Sequence, residues 1–168
     1  MSRPFFITGP ESTGKSTLTL WLASQFGAHA IPEYARDYIE RLKRPYTYND
    51  VEHIASMQLE QIMAHRDAGL CFFDTGLIIT KVWFDKVFER IPDWFMQRIP
   101  IEGRGVYLLC EPDLPWVRDP VRENPDIRSE LFERYRDEIK GYGFDCHVVS
   151  GIGEKRFDVA KAIAEAYL

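Results

Sequence analysis

Gly9-Pro10-Glu11-Ser12-Thr13-Gly14-Lys15-Ser16-Thr17 fits G-x-x-x-x-G-K-[ST], the pattern of a phosphate-binding loop. The apolar run Pro4-Phe5-Phe6-Ile7-Thr8 before it reads as a buried strand, and Leu18-Thr19-Leu20-Trp21-Leu22-Ala23 after it reads as a helix. Its two glycines allow the backbone to curl until successive N–H groups face phosphate oxygens. The helix that follows adds its positive N-terminal end. In that setting Lys15 supplies a point charge to the β- and γ-phosphates, and the Ser16 hydroxyl is placed to ligate Mg²⁺. Strand, loop and helix together imply that this segment binds a nucleoside triphosphate, with ATP and Mg²⁺ as the expected pair.

The remaining composition bounds the chain without narrowing its chemistry. Its 168 residues, 45% hydrophobic and 28% charged, suit one globular domain with a substantial core. A net charge of −5 argues against a nucleic-acid partner, whose phosphates demand a basic face. No run approaches the length of a membrane helix, and the N-terminus enters a strand at once, so a cytoplasmic location is expected. Cys71, Cys110 and Cys146 lie in or beside expected strands and read as reduced, buried thiols. Neither they nor His29, His53, His65 and His147 show metal-ligand spacing.

Further strands are read at Ala28-His29-Ala30-Ile31, Leu70-Cys71-Phe72-Phe73, Val106-Tyr107-Leu108-Leu109 and Cys146-His147-Val148-Val149. Asn49, with Glu52 in capping-box position, is expected to open a helix over 50–68, and Gly69 to stop it. A last helix is expected to bury Val159, Ala162, Ile163, Ala166 and Tyr167. Strands alternating with helices predict an α/β fold, a parallel sheet covered by helices on both faces. Ligands of such sheets bind at the carboxyl ends of the strands, so the residues just after each strand are the functional candidates.

After the second strand, Glu33 is placed to face the γ-phosphate and accept a proton from an attacking hydroxyl. Equally, it could favour the N-terminus of a helix, with Arg36 as its ion-pair partner. Asp74, ending the third strand, reads as a second Mg²⁺ carboxylate or as a helix N-cap. Gln58 lies on the apolar stripe of its helix, where a buried amide either reads a substrate or ties down neighbouring backbone. The proline-rich segment over about 112–128 carries Arg118, Arg122 and Arg128. It suits a lid that neutralises charge over the phosphates, or a surface salt-bridged through Asp119, Glu123 and Asp126.

Taken together, the phosphate loop, Pro32-Glu33-Tyr34-Ala35-Arg36-Asp37-Tyr38, Phe72-Phe73-Asp74-Thr75 and Pro115-Trp116-Val117-Arg118-Asp119-Pro120-Val121-Arg122-Glu123-Asn124 resemble the ribosylnicotinamide kinase domain of NadR proteins. Single-domain relatives grouped with AAA-like ATPases look closer still. The resemblance implies a P-loop nucleoside-kinase-like fold with a five-stranded parallel sheet. It also implies ATP-dependent phosphorylation of the 5′-hydroxyl of nicotinamide riboside. Carried onto this sequence, it implies Glu33 as base, Tyr34, Arg36 and Gln58 at the substrate, and Lys15, Arg118 and Arg122 at the phosphates. Pro120 stands where the family's lid usually has glycine, which stiffens that turn. The nucleotidylyltransferase and DNA-binding parts of NadR proteins have no counterpart in these residues. A nucleotide-dependent switch acting through a protein partner is the competing class, although no guanine-reading Asn-Lys-x-Asp sequence occurs.

Overall fold

Strands apolar on both faces need helices on both sides, and that requirement organises the molecule. The computed structural model describes residues 2–113 and 127–168. Strands β1 (Phe5–Thr8), β2 (His29–Ile31), β3 (Cys71–Asp74), β4 (Val106–Cys110) and β5 (Asp145–Val149) form one five-stranded sheet in the order β2-β3-β1-β4-β5. Every pairing is parallel. The helices are α1 (Lys15–Phe26), α2 (Tyr34–Arg41), α3 (Tyr48–Ala64), α4 (Leu77–Phe88), α5 (Asp93–Met96), α6 (Arg128–Gly141) and α7 (Glu154–Glu165), with a 3₁₀ segment at Ile99–Arg104.

Alternation along the strands sorts the core into two layers. Phe5, Ile7, Phe72 and Leu108 pack with Leu18 and Leu22 of α1 and with Ala160 and Ala164 of α7. Phe6, Phe73, Tyr107 and Leu109 face the other way, onto Val51 of α3, Ile78 and Val82 of α4, and Phe132 and Ile139 of α6. Cross-strand stacking continues the register, with ring centroids 5.0 Å apart for Phe5 and Phe72 and 5.2 Å for Phe6 and Phe73. Each wholly buried side chain of this size contributes about 1.5–3 kcal/mol relative to exposure. The sheet is thus the α/β arrangement expected. Because β1 sits between β3 and β4, the loop after it opens at the point where the crossovers change direction.

Three local expectations are corrected. The cap of α3 is Thr47, whose extended backbone lets its hydroxyl accept from Asp50 N–H, while Asp50 Oδ2 accepts from Thr47 N–H at 2.7 Å. Asn49 is already helical, because Thr47 and Asp50 complete a reciprocal capping box two residues earlier. The helix then ends at Ala64, so Gly69 (φ +91) serves the turn into β3 instead of stopping it. Finally, α7 buries Arg156, Ala160 and Ala164, whereas Ala162 and Ala166 are exposed. Its inner line begins with a charged residue that hydrophobic periodicity does not register.

Cys71 and Cys110 are buried and free, while Cys146 is only half-buried. Among the described residues no helix is long and apolar enough to cross a membrane. The expected lid arginines Arg118 and Arg122, with Pro120, lie outside the described residues.

Candidate active site

The phosphate loop takes its shape from two glycines. A Cβ on Gly9 (φ +149) would stand 2.7 Å from the Cys110 carbonyl oxygen, so only glycine lets the loop leave β1 this close to β4. Gly14 (φ +75) is the left-handed residue from which α1 starts, and its carbonyl accepts from Leu18 N–H at 3.0 Å. Ser12 also holds a positive φ of 57°. The Thr13 hydroxyl braces the turn by donating to the Pro10 carbonyl at 2.7 Å. Lys15 Nζ arches back over the loop and donates to the carbonyls of Gly9 (2.8 Å) and Pro10 (2.9 Å).

Beside the loop, Asp74 Oδ2 accepts a 2.5 Å hydrogen bond from the Ser16 hydroxyl. Its other oxygen, Oδ1, is buried with no hydrogen-bond partner among the described residues. Burial raises the Asp74 carboxyl above the usual carboxylate range, opposed by the Ser16 bond and by the charges of Lys15 and Arg36. A hydroxyl beside a carboxylate with a spare oxygen is a donor set suited to a hard cation such as Mg²⁺. The helix-cap alternative for Asp74 does not hold, because the N-cap position of α4 is Gly76 and the first N–H of that helix, on Leu77, donates to Glu102. Thr75 bridges the two at φ +82, with its N–H bonded to the Ile7 carbonyl at 2.9 Å.

What pins α4 is a residue absent from the sequence-derived list. Glu102 is fully buried; its Oε1 accepts from Leu77 N–H at 2.7 Å and its Oε2 accepts from the Tyr107 hydroxyl. Burial pushes this carboxyl up to about 8, against the lowering effect of the Leu77 bond.

A cleft of about 670 Å³ joins these parts. The loop residues Gly9 and Glu11 to Thr17 line it, together with Glu33 and Arg36. Its remaining wall is apolar and aromatic, including Tyr46, Ile79, Val82, Trp83, Leu131 and Tyr135. The Tyr46 and Trp83 rings meet edge-on, 5.1 Å apart. Tyr135 is buried, and burial raises its hydroxyl pKa first, with the negative charges of Glu33 and Glu11 adding to the effect.

Glu33 and Arg36 are therefore brought to the phosphate loop as expected, Glu33 as the residue preceding α2 and Arg36 in its first turn. Arg36 forms an i,i+4 ion pair with Glu40 at 3.4 Å. Tyr34 and Gln58 are placed elsewhere. They line a small pocket of about 10 Å³ beside Asp74, outside the residues that line the cleft. The Tyr34 hydroxyl is hydrogen-bonded to His53 Nε2 at 2.8 Å, and Gln58 Oε1 accepts from the Thr80 hydroxyl at 2.5 Å. Gln58 thus bridges α3 and α4, as a buried amide must when it packs between helices. Trp83 and Tyr135 escaped sequence reasoning because aromatic residues on amphipathic helices look like ordinary core.

A glycine-shaped loop after β1, an Asp–Ser pair at β3 and a cleft at the carboxyl edge define a P-loop fold of the kinase type. The chain belongs to the AAA domain family, whose model matches residues 4–156. It is 35% identical over 132 residues to the trifunctional NAD biosynthesis/regulator protein NadR of Salmonella typhimurium, and equally to that of Escherichia coli. These alignments cover 71% of this chain, and they span about a third (32%) of the relatives' length. Among solved structures, a NadR protein in complex with NAD and AMP-PNP superposes with a TM-score of 0.82 at 24% identity, over 99% of this chain and 49% of that one. A NadR protein in complex with NR gives 0.81 at 22%, over 99% and 50%. Thymidylate kinase from Ehrlichia chaffeensis shares the fold more distantly, at 0.59 and 14% identity over 96% and 98%.

Proposed function

We propose that this protein is an ATP-dependent kinase for the 5′-hydroxyl of a ribonucleoside, with nicotinamide riboside as the first candidate acceptor. The observation that carries the reading is the single cleft lined both by the phosphate loop and by Glu33, Tyr46 and Trp83. A planar base fits an aromatic wall through stacking, and a carboxylate within the same cleft suits a hydroxyl that must lose a proton. Similarity to NadR proteins supports the same acceptor class.

In this reading the loop N–H groups and Lys15 hold the β- and γ-phosphates in line with the acceptor. Ser16 and Asp74 would hold Mg²⁺, which supplies charge neutralisation for the phosphoryl oxygens when bound. The acceptor O5′ forms a bond to the γ-phosphorus as the bond from that phosphorus to the β–γ bridging oxygen breaks. The hydroxyl proton passes to Glu33, and ADP leaves. Arg118 and Arg122 are proposed to neutralise charge on the transferring group.

Incubation with Mg-ATP and a panel of ribonucleosides, following ADP release and the phosphorylated product, tests the proposal. Acceptor-stimulated ADP release, largest with nicotinamide riboside, is expected. Absence of stimulation by every nucleoside would refute it.

A further inference from the structure

Arg156 is a buried charge in an unfavourable place. It sits in the first turn of α7, where the helix dipole disfavours a cation, and its side chain is only 4% exposed. Its donors reach three separate strand-to-loop junctions. Nη2 donates to the Thr13 carbonyl in the phosphate loop at 2.9 Å and to the Glu111 carbonyl just after β4 at 2.8 Å. Nη1 donates to the Gly151 carbonyl after β5 at 3.0 Å and to Asp113 Oδ1 at 2.5 Å. Asp113 closes the arrangement by accepting from Gly151 N–H at 2.6 Å.

The contact with Thr13 has a directional consequence. A trans peptide is planar, with its C=O and N–H pointing to opposite sides. The Thr13 carbonyl and the Gly14 N–H belong to one such unit, so holding the carbonyl against Arg156 turns the Gly14 N–H the other way. Both residues line the cleft, and Gly14 lies at the start of α1, where anions gather. A guanidinium on the carbonyl also polarises the N–H and strengthens it as a donor.

We infer that Arg156 is a positioning residue for the triphosphate, acting through the Thr13–Gly14 peptide. The inference rests on the phosphate-loop part of the proposed function and is independent of the acceptor. Its ligand class is any polyphosphate seated in the loop, with or without a nucleoside.

Calorimetric titration with Mg-ATP and with inorganic tripolyphosphate separates the possibilities, alongside melting temperature. Wild-type protein is expected to bind both. Arg156→Met should weaken both by a similar factor, roughly tenfold to hundredfold, the range for losing a charged hydrogen bond that orients a donor. Arg156→Lys, which keeps the charge but not the fork, should fall between. Where the methionine variant yields too little folded protein, the lysine variant carries the comparison. Asp113→Asn leaves the Thr13 contact in place and serves as a second, milder loosening of the guanidinium. A lowered melting temperature with both affinities within about threefold of wild type would overturn the inference, marking Arg156 as a structural tie alone. Weakened ATP binding with unchanged tripolyphosphate binding would also overturn it. Failure of wild-type protein to bind either ligand would instead remove the phosphate-loop reading itself.

Discussion

Replacing Glu33 with glutamine separates chemistry from scaffolding at the residue on which the proposed mechanism turns. Glu33 is the N-cap of α2 with φ −68° and ψ 111°, and its side chain makes no capping hydrogen bond. Glutamine keeps its size and reach, and the helix loses a favourable charge near its N-terminus, worth about 0.3–1 kcal/mol. If Glu33 accepts the acceptor proton, the rate should fall roughly 10²–10⁴-fold. At about 1.36 kcal/mol per decade this is about 2.7–5.4 kcal/mol of barrier, several times the stability effect. In the proposed mechanism Glu33 contacts the acceptor and not ATP, so nucleotide affinity should stay near that of wild type. Thermal melting, ATP titration and acceptor-dependent ADP release on the same preparation provide the three readings. Turnover within a few-fold of wild type would refute the base role and leave Glu33 as a helix-end residue.

Three further substitutions probe the surrounding parts. Lys15→Ala should cut turnover by about 10²–10³ with the fold intact, because Nζ bonds loop carbonyls and lies outside the core; near-normal turnover would remove the loop from the chemistry. Asp74→Asn should have opposite effects on stability and binding. Burial already disfavours the Asp74 carboxylate, so the ligand-free melting temperature should hold or rise, while Mg²⁺-dependent strengthening of ATP binding falls about 10–100-fold. Unchanged Mg²⁺ dependence would exclude Asp74 from the metal site. Glu102 makes stability depend on pH: folding raises its pKa from 4.5 to about 8, so between those values the native state holds a proton that the unfolded chain has released. Its stabilising contribution is present in full below about 4.5, declines as pH rises and is gone above about 8. Glu102→Gln should flatten that part of the stability–pH curve; an unaltered slope would show that the carboxyl is not proton-bound in the native protein.

How far the sequence was legible depends on how local each determinant is. The phosphate loop, the strands and the sheet class followed from pattern, since G-x-x-x-x-G-K-S and alternating apolar runs encode backbone geometry within a few residues. Glu33 and Asp74 followed from one topological rule, that strand carboxyl ends face the ligand. Tyr34 and Gln58 did not reach the cleft, because their side chains are spent on His53 and Thr80, partners 19 and 22 residues away. The Thr47 cap was missed for a smaller reason. Asn49 and Glu52 make as plausible a box on paper, and only the extended backbone at Thr47 chooses between them.

Arg156 and Glu102 mark where pattern reading stops. Both are charged residues near helix ends, and a sequence places such residues in water. Here each is buried, and each satisfies backbone groups that the fold strands beside the cleft: three carbonyls for Arg156, the first N–H of α4 for Glu102. Removing the partner of a buried polar group leaves the other group unsatisfied, at a cost of about 1–3 kcal/mol for each group. The two sites therefore constrain opposite flanks of β1. Arg156 holds the phosphate loop from the β4–β5 side, and Glu102 holds the Asp74–Leu77 turn from the α4 side. If the loop and the Asp74 turn are set independently, combining Arg156→Lys with Glu102→Gln should weaken Mg-ATP binding by the product of the two single factors. A combined loss well short of that product would show that both substitutions loosen one shared element, the strand β1 that carries the loop.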